Sequence, residues 1–105
     1  MLTRSLIFLT LLLSANAAIG ETYEVGQKDK KFTQDELSIK VGDTVKFTNN
    51  DPFFHNVFSL SDAEMFDLGS YPQGESRDVK FTTPGEVEVE CAIHPEMRMT
   101  IKVQE

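Results

Sequence analysis

Cys91, His94 and Met97 stand at intervals of three in the segment Cys91-Ala92-Ile93-His94-Pro95-Glu96-Met97. Cys91 is the only cysteine of the chain, and the other of its two histidines is His55, in Phe54-His55-Asn56-Val57. Thiolate and thioether are soft donors that suit Cu(I), and imidazole suits both oxidation states of copper. One Cys, two His and a weak axial Met therefore make a set that selects a single copper ion cycling between Cu(I) and Cu(II). A site between the two preferences changes its geometry little when an electron moves. Three donors on one tight loop and a fourth on a separate strand end would hold the ion firmly. Met97 and Met99 compete for the axial position. Met99 shares parity with Ile101 and Val103 and reads as core, whereas Met97 precedes that strand and can turn back towards the metal.

Each of these residues also has an ordinary structural use. Cys91 at an inward strand position packs like a small hydrophobe, and Met97 fills gaps in a core. His94 serves as a loop residue, and His55 as a satisfied histidine at the core edge. These uses weaken jointly, because both histidines and the only cysteine fall where one metal can collect them. Zinc sites rarely recruit Met. A Cys-His thiol hydrolase needs a third orienting group and an oxyanion site, and the sequence offers neither. A copper-delivery protein would use the same four donors with labile exchange, and is the alternative reading.

The elements that must position these donors read as strands. Residues 37–41 and 44–48 alternate apolar and polar around the break Gly42-Asp43. Asn49-Asn50-Asp51-Pro52 is a second break, with a strand at 57–60 beyond it. Residues 61–73 form the least regular part: Ser61-Asp62-Ala63-Glu64 suits one short helical turn, and Gly69, Pro72 and Gly74 favour a loop. Strands follow at 77–81, 86–91 and 99–103. Val87, Val89 and Cys91 share one face, as do Met99, Ile101 and Val103. Residues 23–25, with Phe32, supply an edge strand. Seven or so short strands at this spacing mean an all-β sandwich or small barrel.

Ahead of this lies a segment that reads as an address. Arg4 precedes a short apolar run, and Ala15-Asn16-Ala17 follows it. That is the layout of a cleaved signal peptide over residues 1–17, leaving residues 18–105 as one domain. The apolar run is about ten residues, half of what a bilayer-spanning helix needs. The mature protein is therefore expected in the periplasm, with no membrane span. The whole chain of 105 residues carries 17 acidic and 10 basic side chains, a net charge of −7. That balance excludes a nucleic-acid binder, which needs Lys and Arg against phosphate. A hydrophobic content of 40% excludes a disordered polymer.

Asp51-Pro52-Phe53-Phe54-His55-Asn56-Val57, together with Cys91-x-x-His94-Pro95-x-Met97, resembles the cupredoxins, the type 1 blue copper proteins of the plastocyanin, pseudoazurin and amicyanin group. Val41-Gly42-Asp43-Thr44-Val45-Lys46-Phe47 is similar to the strand pair before the first ligand, and the short Cys-x-x-His-x-x-Met loop is most similar to that of amicyanin. The resemblance implies a Greek-key β-sandwich of about seven to eight strands binding one copper ion. Its ligands would be His55, Cys91, His94 and, axially, Met97, with Asn56 tying the His55 strand to the Cys91 loop. It also implies a monomeric one-electron carrier without enzymatic activity. The imidazole edge of His94, rimmed by Phe53, Phe54 and Pro95, would be the electron port. Its partners would be transient: a cytochrome c, or a periplasmic dehydrogenase or oxidase met through a small interface and steered by the acidic surface. Two positions depart from the group. Ile93 replaces a frequent Pro and brings an N–H, expected to hydrogen-bond the Cys91 sulfur and raise the reduction potential. Glu96 puts a carboxylate where relatives have an apolar rim.

Overall fold

A computed structural model describes residues 20–105. The expected signal peptide, residues 1–17, lies outside the described residues. Nine strands follow in chain order: β1 (Thr22–Lys28), β2 (Lys31–Phe32), β3 (Glu36–Lys40), β4 (Thr44–Asn49), β5 (His55–Ser61), β6 (Glu64–Tyr71), β7 (Ser76–Lys80), β8 (Gly85–Glu90) and β9 (Arg98–Gln104). They build a four-stranded sheet in the order β2-β1-β4-β7 and a five-stranded sheet in the order β3-β9-β8-β5-β6. The pairs β1–β4 and β3–β9 are parallel, so the chain crosses repeatedly between the sheets, as the expected Greek-key sandwich requires. Among the described residues, no helix is long and apolar enough to cross a membrane.

Side-chain alternation explains why these segments pair as they do. On β8, Val87 and Val89 are buried while Glu86 and Glu88 face outward. Their β9 partners Ile101 and Met99 are buried too. From the other sheet, Val25, Val45 and Phe47 close the same core. Each aliphatic side chain so buried contributes about 1.5–3 kcal/mol relative to exposure. A one-residue slip would turn β8's glutamates inward, so the register is tightly specified.

Two expectations need correction. Residues 61–73 are not a loop with a helical turn. Ser61 pairs with Glu64 across a tight turn, and β6 runs the length of β5 at the sheet edge. Phe66 and Leu68 are its inward residues, packed against the core. The glycine that suggested a loop marks a bulge instead. Asn56 pairs with Ser70 and Phe58 with Asp67, so β6 carries one extra residue there, next to Gly69 at φ +75°. The second correction concerns residues 23–25. They belong to β1, which is interior, and the edge is the short β2. The β1–β2 turn consists of Asp29 and Lys30, both at positive φ (55° and 60°). Neither is the glycine by which such a turn is usually read.

Buried polar groups along the seams are bonded. Asp43, after the φ +97° turn at Gly42, accepts the N–H groups of Glu21 and Lys40, each at 2.8 Å. One carboxylate thus joins β1, β3 and β4. Gln27 is an exception: it is buried on β1 between Phe32 and Asn49, and neither amide atom has a partner.

The hydrogen bonds from Glu21 and Lys40 hold the Asp43 carboxyl below its ordinary value, against a smaller opposing effect of burial. A carboxylate depressed in the folded state stabilises above its unfolded value, about 3.9, and that stability is lost as pH falls through the folded value. Asp43→Asn is expected to cost about 1–3 kcal/mol at pH 7, and less near pH 2. Denaturant unfolding of the metal-free protein at both pH values measures this; an equal cost at both would contradict it.

Candidate metal centre

The five-stranded sheet brings the sequence-predicted donors to one pole. β8 is the central strand and β5 is its antiparallel neighbour, with Phe58 opposite Glu90. The last residue of β8 is therefore close to the first part of β5. Cys91 directly follows β8, and His55 opens β5. His94 and Met97 lie in the connection from β8 to β9.

His55 Nδ1 stands 3.8 Å from Cys91 Sγ, across 36 residues of chain. His94 Nδ1 stands 3.9 Å from the same sulfur and 3.2 Å from His55 Nδ1. An ion held about 2 Å from each nitrogen and about 2.3 Å from the sulfur spans a triangle of this size. The donors therefore fit one metal ion, and one thiolate with two imidazoles and a thioether nearby fits copper. His55 and Cys91 are buried, at 0% and 1% exposure, while His94 is half-buried. Met97 is buried at the end of the loop, and its N–H donates to the His94 carbonyl at 2.9 Å, folding the loop back on itself. It also lines an open cavity of about 260 Å³ with Phe32 and Arg98. Met99 belongs to β9, opposite Val89 in the core.

Hydrogen bonds fix the thiol from behind. Asn56 N–H points at Cys91 Sγ at 3.5 Å, and Asn56 Oδ1 accepts the Ala92 N–H at 2.6 Å. Asn56 thus ties β5 to the Cys91 loop, as the resemblance implied. The expected bond from Ile93 is not formed: Asn56 is the backbone donor to the sulfur, and Ile93 is 47% exposed on the rim.

Sequence reasoning missed Asp51. Its carboxylate sits 2.7 Å from His55 Nε2, with both side chains buried. Burial alone would raise its pKa, but hydrogen bonds from His55, Lys30 and Asp29 outweigh that and hold the carboxyl below its ordinary value. An aspartate four residues before a histidine was the available signal, hidden in a run that reads as a turn. The ring of Phe53 lies 5.4 Å from the centres of both imidazoles, and Lys30 Nζ lies 5.7 Å from the Phe53 ring. Tyr71, the β6 partner of His55, donates its hydroxyl to the Phe47 carbonyl at 3.0 Å, and burial pushes its phenol pKa up. Burial, then repulsion by His55 and Lys30, lowers the pKa of His94, while Asp51 and Glu96 oppose this. A lowered value keeps this imidazole neutral and free to bind a metal near pH 7. Phe54, Ile93 and Pro95 are exposed, Phe54 at 53% and Ile93 at 47%, while His94 is half-buried beside Phe53.

The model of the copper binding proteins of the plastocyanin/azurin family matches residues 20–104. Methylamine utilization protein MauL of Methylorubrum extorquens is 31% identical over 103 residues, covering 97% of this chain and 90% of that protein. Chloroplastic plastocyanin of Physcomitrium patens is 36% identical over 97 residues, covering 82% of this chain and 56% of the relative. The Cu(I) form of a methionine-to-alanine mutant of amicyanin superposes with a TM-score of 0.74 at 26% identity, over 79% of this chain and 82% of that chain. A copper-containing nitrite reductase of Thermus scotoductus gives a TM-score of 0.75 at 32% identity, over 80% of this chain. This chain spans only 22% of that enzyme's length. With the fold, the donor geometry and these likenesses together, the chain belongs to the copper-binding plastocyanin/azurin family.

Proposed function

We propose that the protein is a periplasmic one-electron carrier whose copper is held by His55, Cys91 and His94, with Met97 in the axial position. The observation that carries this reading is the convergence of one sulfur and two imidazole nitrogens, 3.2–3.9 Å apart, at one end of a rigid sandwich. Bound copper supplies the Cu(I)/Cu(II) couple. The protein's own residues do the rest. The core around Cys91 and His55 excludes water from those donors. Asn56 and the loop hydrogen bonds keep the donors in place whichever charge the site carries, so little reorganisation accompanies the change of state.

His94 is the donor nearest to solvent, and its rim of Phe53, Phe54 and Pro95 suits a short-lived contact with a redox partner. The net charge of −7 favours steering to a basic face on a cytochrome c or on a periplasmic dehydrogenase or oxidase. The kinship with a methylamine utilization protein supports an amine-oxidising donor. The periplasmic location rests on the signal-like residues 1–17.

Copper delivery fits the burial less well, since release from donors at 0% and 1% exposure requires the loop to open. The contacts Cys91–His55–Asp51 also line up in the manner of a thiol hydrolase, supplying the orienting group that the sequence does not reveal. In such an enzyme the sulfur must reach substrate, and here it is 1% exposed with a second imidazole beside it. Electron transfer accounts for the second imidazole, and hydrolysis does not.

Copper-loaded, oxidised protein is expected to show an intense visible thiolate-to-copper band. The band should disappear on reduction, return on reoxidation and be absent in Cys91→Ser. A colourless oxidised copper complex would overturn the assignment. Met97→Leu is expected to shift both the band and the potential. Met99→Leu should leave both in place and cost less than about 1.5 kcal/mol as a volume-conserving core change. The opposite pattern would transfer the axial role to Met99.

A further inference from the structure

We propose that Asp51 is a positioning residue that fixes the tautomer of His55, strengthens it as a metal donor, and links that donor to the β1–β2 turn. This rests on the metal-binding reading above, and goes beyond it by assigning work to a side chain outside the donor set.

The carboxylate is 2% exposed, and both its oxygens are engaged. Oδ1 accepts the Asp29 N–H at 2.7 Å. Oδ2 accepts the Lys30 N–H at 3.0 Å and lies 2.7 Å from His55 Nε2. A buried anion is tolerated only when its lone pairs are used in this way. An acceptor-only carboxylate facing Nε2 requires that nitrogen to carry the proton. Nδ1 then presents its lone pair, and Nδ1 is the atom turned to Cys91 Sγ and to His94 Nδ1. A carboxylate behind a ligating imidazole sets the ring's orientation and raises its basicity. It also sets a negative charge near the site, which favours the more positive oxidised state.

The same carboxylate holds the turn. Asp29 and Lys30 both sit in the left-handed region, at φ 55° and 60°, where non-glycine residues are uncommon. Their N–H groups are the ones that Asp51 accepts. Lys30 reaches the centre a second way, with its ammonium 5.7 Å from the Phe53 ring, whose other neighbours are the two imidazoles. A turn that sequence reasoning leaves unremarked is therefore wired to His55 through its backbone and to Phe53 through a side chain.

The test begins with metal-free wild-type protein. Its His55 ¹⁵N shifts are expected to show a protonated Nε2 and an unprotonated Nδ1. The Nδ1–H tautomer would overturn the proposal without reference to copper or to any variant. Asp51→Asn keeps the size and an acceptor oxygen but removes the charge. It should weaken Cu(II) retention by about 10–100-fold, raise the reduction potential and perturb the His55 ¹⁵N signals. Asp51→Glu should restore part of each. If Asp51→Asn lowers folding stability while tautomer, potential and Cu(II) retention all stay as in wild type, the residue is only structural and the proposal fails. If Asp51→Asn does not fold, the wild-type tautomer together with the potential of Asp51→Glu decides. A wild type that shows the expected tautomer but binds no copper refutes the metal-binding reading and leaves the Asp51–His55 arrangement standing.

Discussion

The adjacency of β5 and β8 is the constraint on which the rest depends. Antiparallel neighbours run in opposite senses, so the end of one lies beside the start of the other. That relation carries Cys91 to His55 across 36 residues and needs no special loop to do so. The backbone hydrogen bonds and the interdigitated valines that stabilise the sheet are thus also what assembles the donors. The loop before β9 adds only His94 and Met97, within a few residues of the sulfur.

A second layer of order is polar. Asp51, Asn49 and Asn56 are buried, and each bonds backbone as well as its neighbours. Asn49 donates to the carbonyls of Phe53 and Tyr71 and accepts the Asp51 N–H, so the segment leading to His55 has its path fixed before any ion arrives. Burying such groups is costly unless they are satisfied, and their number at this pole contrasts with the apolar middle of the sandwich. Gln27 has no such compensation, and nothing in the structure explains why β1 carries an amide there.

Much of this was legible in the sequence, for identifiable reasons. The strict alternation of 86–90 gives β8 and its inward face, because half-buried strands leave a period of two. The donors stand out because His and Cys are rare in this chain. β6 was misread because Gly69 and Pro72 signal loops, whereas here the glycine absorbs an extra residue within a paired strand. The β1–β2 turn was missed because Asp-Lys is not a usual turn pair; Asp51, 21 residues further on, stabilises it. For the same reason Asp51 looked like punctuation. Long-range hydrogen bonds leave no periodic trace. The Ile93 expectation failed because an available N–H is not an aimed one, and the backbone N–H aimed at the sulfur is that of Asn56.

The division of the donors between two separate stretches of chain has a thermodynamic consequence. An unfolded chain holds His55 and Cys91 at a fluctuating distance, so it cannot reproduce the native chelate. Mass action then makes the melting temperature a function of free copper concentration rather than a constant of the polypeptide. A population of such molecules in a metal-poor compartment would be more readily cleared by proteases, and its abundance would report the copper supply around it.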